Sequence, residues 1–412
     1  MSRTIKIMSL LSLFLLCFIG CEYDGPKAVW SPNPTGDPVP VITTVAPPGE
    51  AIAGVAKIKI MGENFSPIFE ENQVFFNNVE VDLKTCSETE LSVYRPNLVN
   101  DDVTIRVVVR KALQDAELPS YGVAETTEKI SDIRDLGTFN TIVVDHNENV
   151  FIHTNKKEYY ELQDNGDFEK VMSTLPRSVY DLKLGPDNVV YVGRDDKYLM
   201  KAIPGETAFV KWAQGLPAKV KYIDFDENLN IYAGGKRSGI VIVHPDESSV
   251  ALGGYEQHDI VGVRIYNGDL YVAAFYLGEN GLGDDGLDLP FGIYRHKINS
   301  DGTLGERETF VDWSQTGSFA ETTFSDFEFD EDGILLVATD GGVGNDLDPM
   351  MMVYPDGSID TFYKGGILTG PILGMAWGEN ETLYFVKPSD NIYTLHKMGM
   401  AKRCAPRYGR ES

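Results

Sequence analysis

The 412-residue chain is 42% hydrophobic and carries 36 basic against 62 acidic residues, a net charge of −26. A surface this acidic repels nucleic acid and other polyanions, which excludes the nucleic-acid-binding classes and leaves a neutral ligand, a basic partner or a calcium-dependent site. Of its four cysteines, Cys86 and Cys404 fall in different modules, and their spacing gives no support to a disulfide between them.

In chain order, Arg3 and Lys6 precede the apolar run IMSLLSLFLLCFIG. That run is shorter than the roughly 20 apolar residues that span a bilayer, so residues 1–20 read as a secretory signal peptide. It closes on FIGC, which resembles the lipobox of bacterial lipoproteins. The resemblance implies cleavage before Cys21 and lipid attachment to its thiol, with several acyl chains giving a stable anchor. Residues 21–39, rich in Pro, Gly and polar side chains, read as an extended tether. Glu22 and Asp24 beside the anchor resemble the acidic export signal of surface-displayed lipoproteins in polysaccharide-degrading Gram-negative bacteria. The implied location is the outer membrane, facing the cell surface.

Residues 40–110 contain several short alternating strands with turn signals between them, the pattern of a small β-sandwich. The pieces PVITTVAPP, AGVAKIKIMGENFS with Gly62, Asn64 and Phe65, VFFNNVEVDLKTCSETELSVYRP and VTIRVVV resemble an immunoglobulin-like IPT/TIG domain. The resemblance implies a spacer without a ligand, with Cys86 an unpaired core thiol. Residues 111–125 read as a link.

Between Thr141 and Met398 one phrase recurs six times: IVVDHNENVFI, LKLGPDNVVYV, IDFDENLNIYA, VGVRIYNGDLYV, FEFDEDGILLVA and MAWGENETLYFV. Each is an apolar strand, an Asp/Asn/Gly turn and a second strand. The second-strand anchors Phe151, Tyr191, Tyr232 and Tyr271 follow one another at about 40 residues, the length of a four-stranded antiparallel blade. The fold predicted is all-β, the sandwich followed by a six-bladed β-propeller over 126–399. The last blade shows three strands, and 400–412 carries no alternation and reads as a frayed basic tail. The strand-like run at 126–136 is therefore expected to pair as the fourth strand of blade six and remove an open edge.

The intervals to Leu336 and Tyr384 are longer, by about 25 and about 8 residues, and surplus length on a rigid scaffold is where recognition tends to sit. The surplus is LGENGLGDDGLDLPFG in blade four and GGVGNDLDP in blade five. Asp284, Asp285 and Asp288, and Asn345, Asp346 and Asp348, supply oxygens of the kind calcium takes, although neither loop has EF-hand spacing. Both insertions join second to third strands and so share one face with the blade entries. Arg177, Lys219, His258, Tyr276, Phe291, Trp313 and Phe319 lie on that side and are the predicted ligand-binding set, aromatic faces flanked by polar groups suiting sugar rings.

No nucleophile elbow, zinc helix, Cys-x-x-Cys pair or phosphate loop occurs. The ring resembles the NHL-repeat and gluconolactonase-like superfamily, and the whole layout resembles accessory surface lipoproteins of polysaccharide-uptake systems. That likeness implies capture of a glycan or another extracellular ligand without turnover, in an envelope transport complex. Two other readings stay open. One is a calcium-dependent lactonase or lyase, with Asn140, Asp181, Asp259 and Asp326 near the starts of inner strands as axial oxygen ligands. The other is a protein-binding scaffold.

Overall fold

In the computed structural model of the chain, the residues described are 35–156, 158–172, 179–278, 289–342 and 347–406. Two β-sheets form the first module. One has the strands Val41–Ala46, Lys57–Glu63, Glu90–Tyr94 and Leu83–Cys86 in that spatial order; the other has Glu50–Ala51, Ala116–Val123, Asn100–Val109, Asn72–Phe76 and Val79–Val81. Alternation drives the burial: along Asn100–Val109, Val103, Ile105 and Val107 turn inward while Thr104 and Arg106 stay at least partly exposed. They meet Ile58, Ile60, Leu91 and Val93 from the facing sheet. Gly62 is required where the chain crosses the first strand, because a Cβ there would stand 1.9 Å from the Val41 carbonyl oxygen and 2.4 Å from the Phe65 ring.

The segment 111–125 is not a link. Ala116–Val123 pairs antiparallel with Asn100–Val109 and buries Tyr121 and Val123 in the sandwich core. Pro119 and a left-handed Ser120 (φ 63°) break its alternation, and the pairing register shifts there, which is why the strand is hard to read from pattern.

Six four-stranded antiparallel sheets follow. Their inner strands are Phe139–Val144, Asp181–Leu184, Tyr222–Phe225, His258–Tyr266, Phe324–Phe329 and Gly374–Trp377, and each touches the next around a ring that closes between the last and the first. Apolar side chains fill each gap between blades; Trp377, Tyr363 and Phe385 are fully buried between blades five and six. The ring is sewn shut by Glu128–Ile133, which pairs antiparallel with Ile392–Gly399 from Glu128↔Lys397 to Ile133↔Tyr393. This is the pairing the run at 126–136 predicts.

The Asp/Asn turns are structural. Asp145 Oδ1 accepts the backbone N–H groups of Asn147 and Asn149, and Asp226 repeats this with Asn228 and Asn230. The tail does not fray over 400–406. Met400 and Ala405 are buried, the Ala405 N–H donates to the Phe329 carbonyl, and Lys402 lies 2.5 Å from Asp332 and 3.3 Å from Asp330. Residues 407–412 lie outside the described residues. Cys86 and Cys404 are half-buried rather than core, and the Cys86 thiol donates to the Pro67 carbonyl at 3.4 Å.

The sandwich does not stand off as a spacer. Asp360, on the outermost strand of blade five, receives Lys57 at 3.1 Å, Lys84 at 2.9 Å and the Tyr94 hydroxyl at 2.9 Å. Burial alone would raise the Asp360 carboxyl, but Lys84, Lys57 and Tyr94 together hold it below its ordinary value. Tyr363 donates to the Ala53 carbonyl, and Asn97 to that of Gly365 at 3.2 Å.

Candidate ligand-binding face

The connections from second to third strands and from each blade to the next share one face of the ring. Residues 173–178, 279–288 and 343–346 lie outside the described residues. Arg177 and the predicted calcium ligands Asp284, Asp285, Asp288, Asn345 and Asp346 are therefore not placed. Asp348 is placed and is buried, with Oδ1 accepting from the Leu368 N–H at 2.8 Å; burial pushes its carboxyl up to about 6. Among the described residues no three His, Cys, Asp or Glu side chains are arranged to hold a metal.

Most of the predicted aromatic set proves to be packing. Phe291, Trp313 and Phe319 are 4–6% exposed and join Phe275 and Phe324 in a cluster where blade four meets blade five. Ring centroids are 4.4 Å apart for Phe275–Phe291 and 4.9 Å for Phe291–Trp313, and the Trp313 indole N–H donates to the Thr322 carbonyl at 3.0 Å. Two short 3-10 turns, Trp313–Gln315 and Gly317–Glu321, fold these rings inward, because their large apolar area is worth more buried than displayed. His258 is likewise enclosed, edge-on to Tyr255, Tyr276 and Tyr294. Tyr276 is half-buried with its hydroxyl on Gln257 at 3.0 Å, and Lys219 is exposed at the entry of blade three.

Around the mouth of the axis one aromatic ring is exposed, with a partly covered tyrosine and a buried lysine beside it. Tyr180 is 38% exposed just before the inner strand of blade two, and Tyr222 begins the inner strand of blade three; their centroids are 6.4 Å apart at 61°. Lys221 lies 5.0 Å from the Tyr180 ring centre, and its ammonium donates to Asp259 at 3.2 Å. Burial pushes the Tyr222 hydroxyl up, with Asp181, Asp326 and Asp259 adding to it, so it remains a neutral donor. Sequence reading passed over Tyr180, Lys221 and Tyr222. The available signal was a tyrosine at the start of the inner strand in two consecutive blades, Tyr180 just before it and Tyr222 as its first residue.

Below the mouth, six charged side chains from four blades interlock. Arg264 reaches Asp326 at 2.8 Å, Glu328 at 3.2 Å and Asp181 at 4.0 Å; Lys183 reaches Glu328 at 3.5 Å. Burial would lower the Arg264 guanidinium, yet the surrounding carboxylates hold it above its ordinary value. Burial raises Asp181 to about 6 despite Lys183 and Arg264, and raises Asp224 and Asp326 as well. The carboxylates also lace blade to blade: Asp181 accepts from the Ile223 N–H at 3.0 Å, Asp224 from Ile265 at 2.7 Å and Asp326 from Met375 at 2.9 Å.

The four predicted axial ligands do not converge on one point of coordination. Asn140 donates to the Val179 carbonyl at 3.3 Å, Asp259 holds Lys221, and Asp181 and Asp326 are bonded to backbone and Arg264. The arrangement can hold a ligand at the rim; its acids are already engaged in holding the blades.

Residues 40–122 match the IPT/TIG domain family. No curated protein matches the chain. Among solved structures the chain is similar to a structural genomics protein of unknown function from Bacteroides thetaiotaomicron VPI-5482, at 12% identity and TM-score 0.49 over 90% of this chain and 99% of that one. It is also similar to auxiliary nutrient binding proteins from the same organism (11% identity, TM-score 0.46) and from Bacteroides ovatus ATCC 8483 (11%, 0.47), each over 89% of this chain and 99% of the other. At these identities and TM-scores the likenesses bear on neither ligand nor activity.

Proposed function

We propose that the chain is a non-catalytic, lipid-anchored protein of the outer cell surface that captures an extracellular ligand, a glycan above all, at the axial mouth of an NHL-like propeller. The observation that carries this reading is the pair Tyr180 and Tyr222 beside the Lys221–Asp259 ion pair. Aromatic faces flanked by a donor and an acceptor match the apolar face and rim hydroxyls of a sugar ring. Binding is favoured over turnover because the carboxylates beneath are committed to Arg264, Lys183 and backbone N–H groups, which leaves no poised acid and base pair there.

Screening the chain from residue 22 onward against a glycan array identifies the ligand. Tyr180→Ala with Tyr222→Ala is then expected to weaken its binding by roughly tenfold or more, at about 0.5–1.5 kcal/mol per ring. Unchanged affinity, measured calorimetrically, would remove the mouth from consideration. Anchoring rests on the FIGC junction. Cys21→Ser should move the protein from the membrane to the soluble fraction, and continued membrane association would contradict lipidation there. In this reading the anchored protein hands its ligand to an envelope transport complex.

A further inference from the structure

Between blades one and two, on the side of the ring opposite the axial mouth, lies a groove of about 450 Å³, the volume of a small-molecule site. Blade one supplies its floor, where the rings of Phe151 and Tyr159 stack at 5.1 Å and 5° beside Asp145 and Glu161. Blade two supplies the facing wall, with Val190, Ala202 and the turn that carries Gly205 and Glu206.

The repeat explains why this groove is open. Phe151 holds the anchor position that is tyrosine in the next three blades. In blade three that tyrosine, Tyr232, donates across the corresponding gap to the Gly302 carbonyl of blade four at 2.9 Å, and Gly302 sits in the turn that corresponds to the one carrying Gly205. In blade two Tyr191 is closed in edge-on by Trp212 and Phe225, at 5.1 and 4.9 Å. Phe151 has no hydroxyl with which to reach across.

The lining is also one-sided in charge. Among the described residues the carboxylates of Asp145, Glu161 and Glu206 line the groove and no basic side chain does. Asp145 is spent on its own turn, with Oδ1 on the N–H groups of Asn147 and Asn149 and Oδ2 on the Asn149 amide. Glu161 is half-buried, and its carboxylate has neither hydrogen bond nor ion pair with any described residue. Burial raises the Glu161 carboxyl, and Asp145 and Glu169 add to it; a cation beside it relieves all three effects. Tyr159, 2% exposed, brings to the same groove a hydroxyl without a partner among the described residues. Burial, with Asp145 and Glu161 behind it, pushes that hydroxyl well up, so it stays neutral.

We propose that this groove is a second ligand site, distinct from the axial mouth, and that it binds a small organic cation: a primary ammonium seated on the Glu161 carboxylate and carried by a flat apolar body that lies between Phe151 and the wall of Val190 and Ala202. A neutral body of the same shape leaves the carboxylate unmatched, and an anionic one is repelled by all three acids.

The test is calorimetry at neutral pH on the chain from residue 22 with three probes of one shape: tryptamine, the neutral tryptophol and the anionic indole-3-propionate. Tryptamine is expected to bind, tryptophol to bind roughly tenfold more weakly and indole-3-propionate not to bind. Glu161→Gln keeps the side-chain shape and should lower the affinity for tryptamine roughly tenfold while leaving that for tryptophol unchanged, a difference that a folding defect would not produce. Glu206 is exposed on its turn, so Glu206→Lys leaves the core intact, and the cation it installs at the rim should weaken tryptamine roughly threefold. Equal affinity for tryptamine and tryptophol, full tryptamine binding in Glu161→Gln, or no binding of tryptamine to the unaltered chain would each overturn the proposal.

Discussion

A propeller beginning at Gly137 is expected to aggregate or to melt far below one beginning at Thr126, although the two differ by only eleven residues. The strand Glu128–Ile133 is the outermost of blade six, and its loss exposes the whole edge of Ile392–Gly399. It also removes Ile133, 2% exposed, and Ile130 from a cluster that includes Ile142, Ala376 and Leu395. Full burial of Ile133 is worth about 1.5–3 kcal/mol and the partly buried Ile130 adds to it, a large share of the stability of many domains. Both chains lack the sandwich, so the surface uncovered on blades five and six is common to them. Size-exclusion chromatography and urea unfolding check this, and equal midpoints would mean that the ring holds without the N-terminal strand.

Arg264→Ala is expected to cost about 3–5 kcal/mol at neutral pH, because it takes from the buried Asp326 and Glu328 their nearest cation and leaves Asp181 with Lys183 alone. The pH dependence has a definite sign. A carboxyl whose folded pKa lies above its unfolded value contributes stability that is complete below the unfolded value and lost as pH rises through the folded one. For Asp181 that window runs from the ordinary carboxyl value of 3.8 to about 6. Removing Arg264 raises these carboxyls further, so the deficit of the variant should be largest at pH 7–8 and shrink towards pH 5. Adding Glu328→Gln should recover part of the loss by removing one stranded charge. Calorimetric melting of the variants across this range tests it; a deficit independent of pH would show that Arg264 acts through packing on Phe327, whose ring centre lies 5.1 Å from it.

The sequence by itself determined the all-β class, the six-fold repeat, the sandwich ahead of it and the identity of the closing strand. Each of these is written in short-range periodicity: a two-residue alternation sets which strand face is buried, and an interval of about 40 residues sets the blade. Tertiary structure alone decided which side chains are surface. Phe291 and Trp313 look the same in sequence as Tyr180, yet the first two fill the seam between blades four and five and the third faces solvent. The same holds for the tail over 400–406, which lacks any pattern and is pinned by Asp330, Asp332 and the Phe329 carbonyl from a distant blade. The cleft between sandwich and propeller exists only because two modules dock. Burial and ion pairing depend on which surface arrives opposite a residue, and that is set by contacts between positions hundreds of residues apart, such as Tyr94 with Asp360, which no local pattern records.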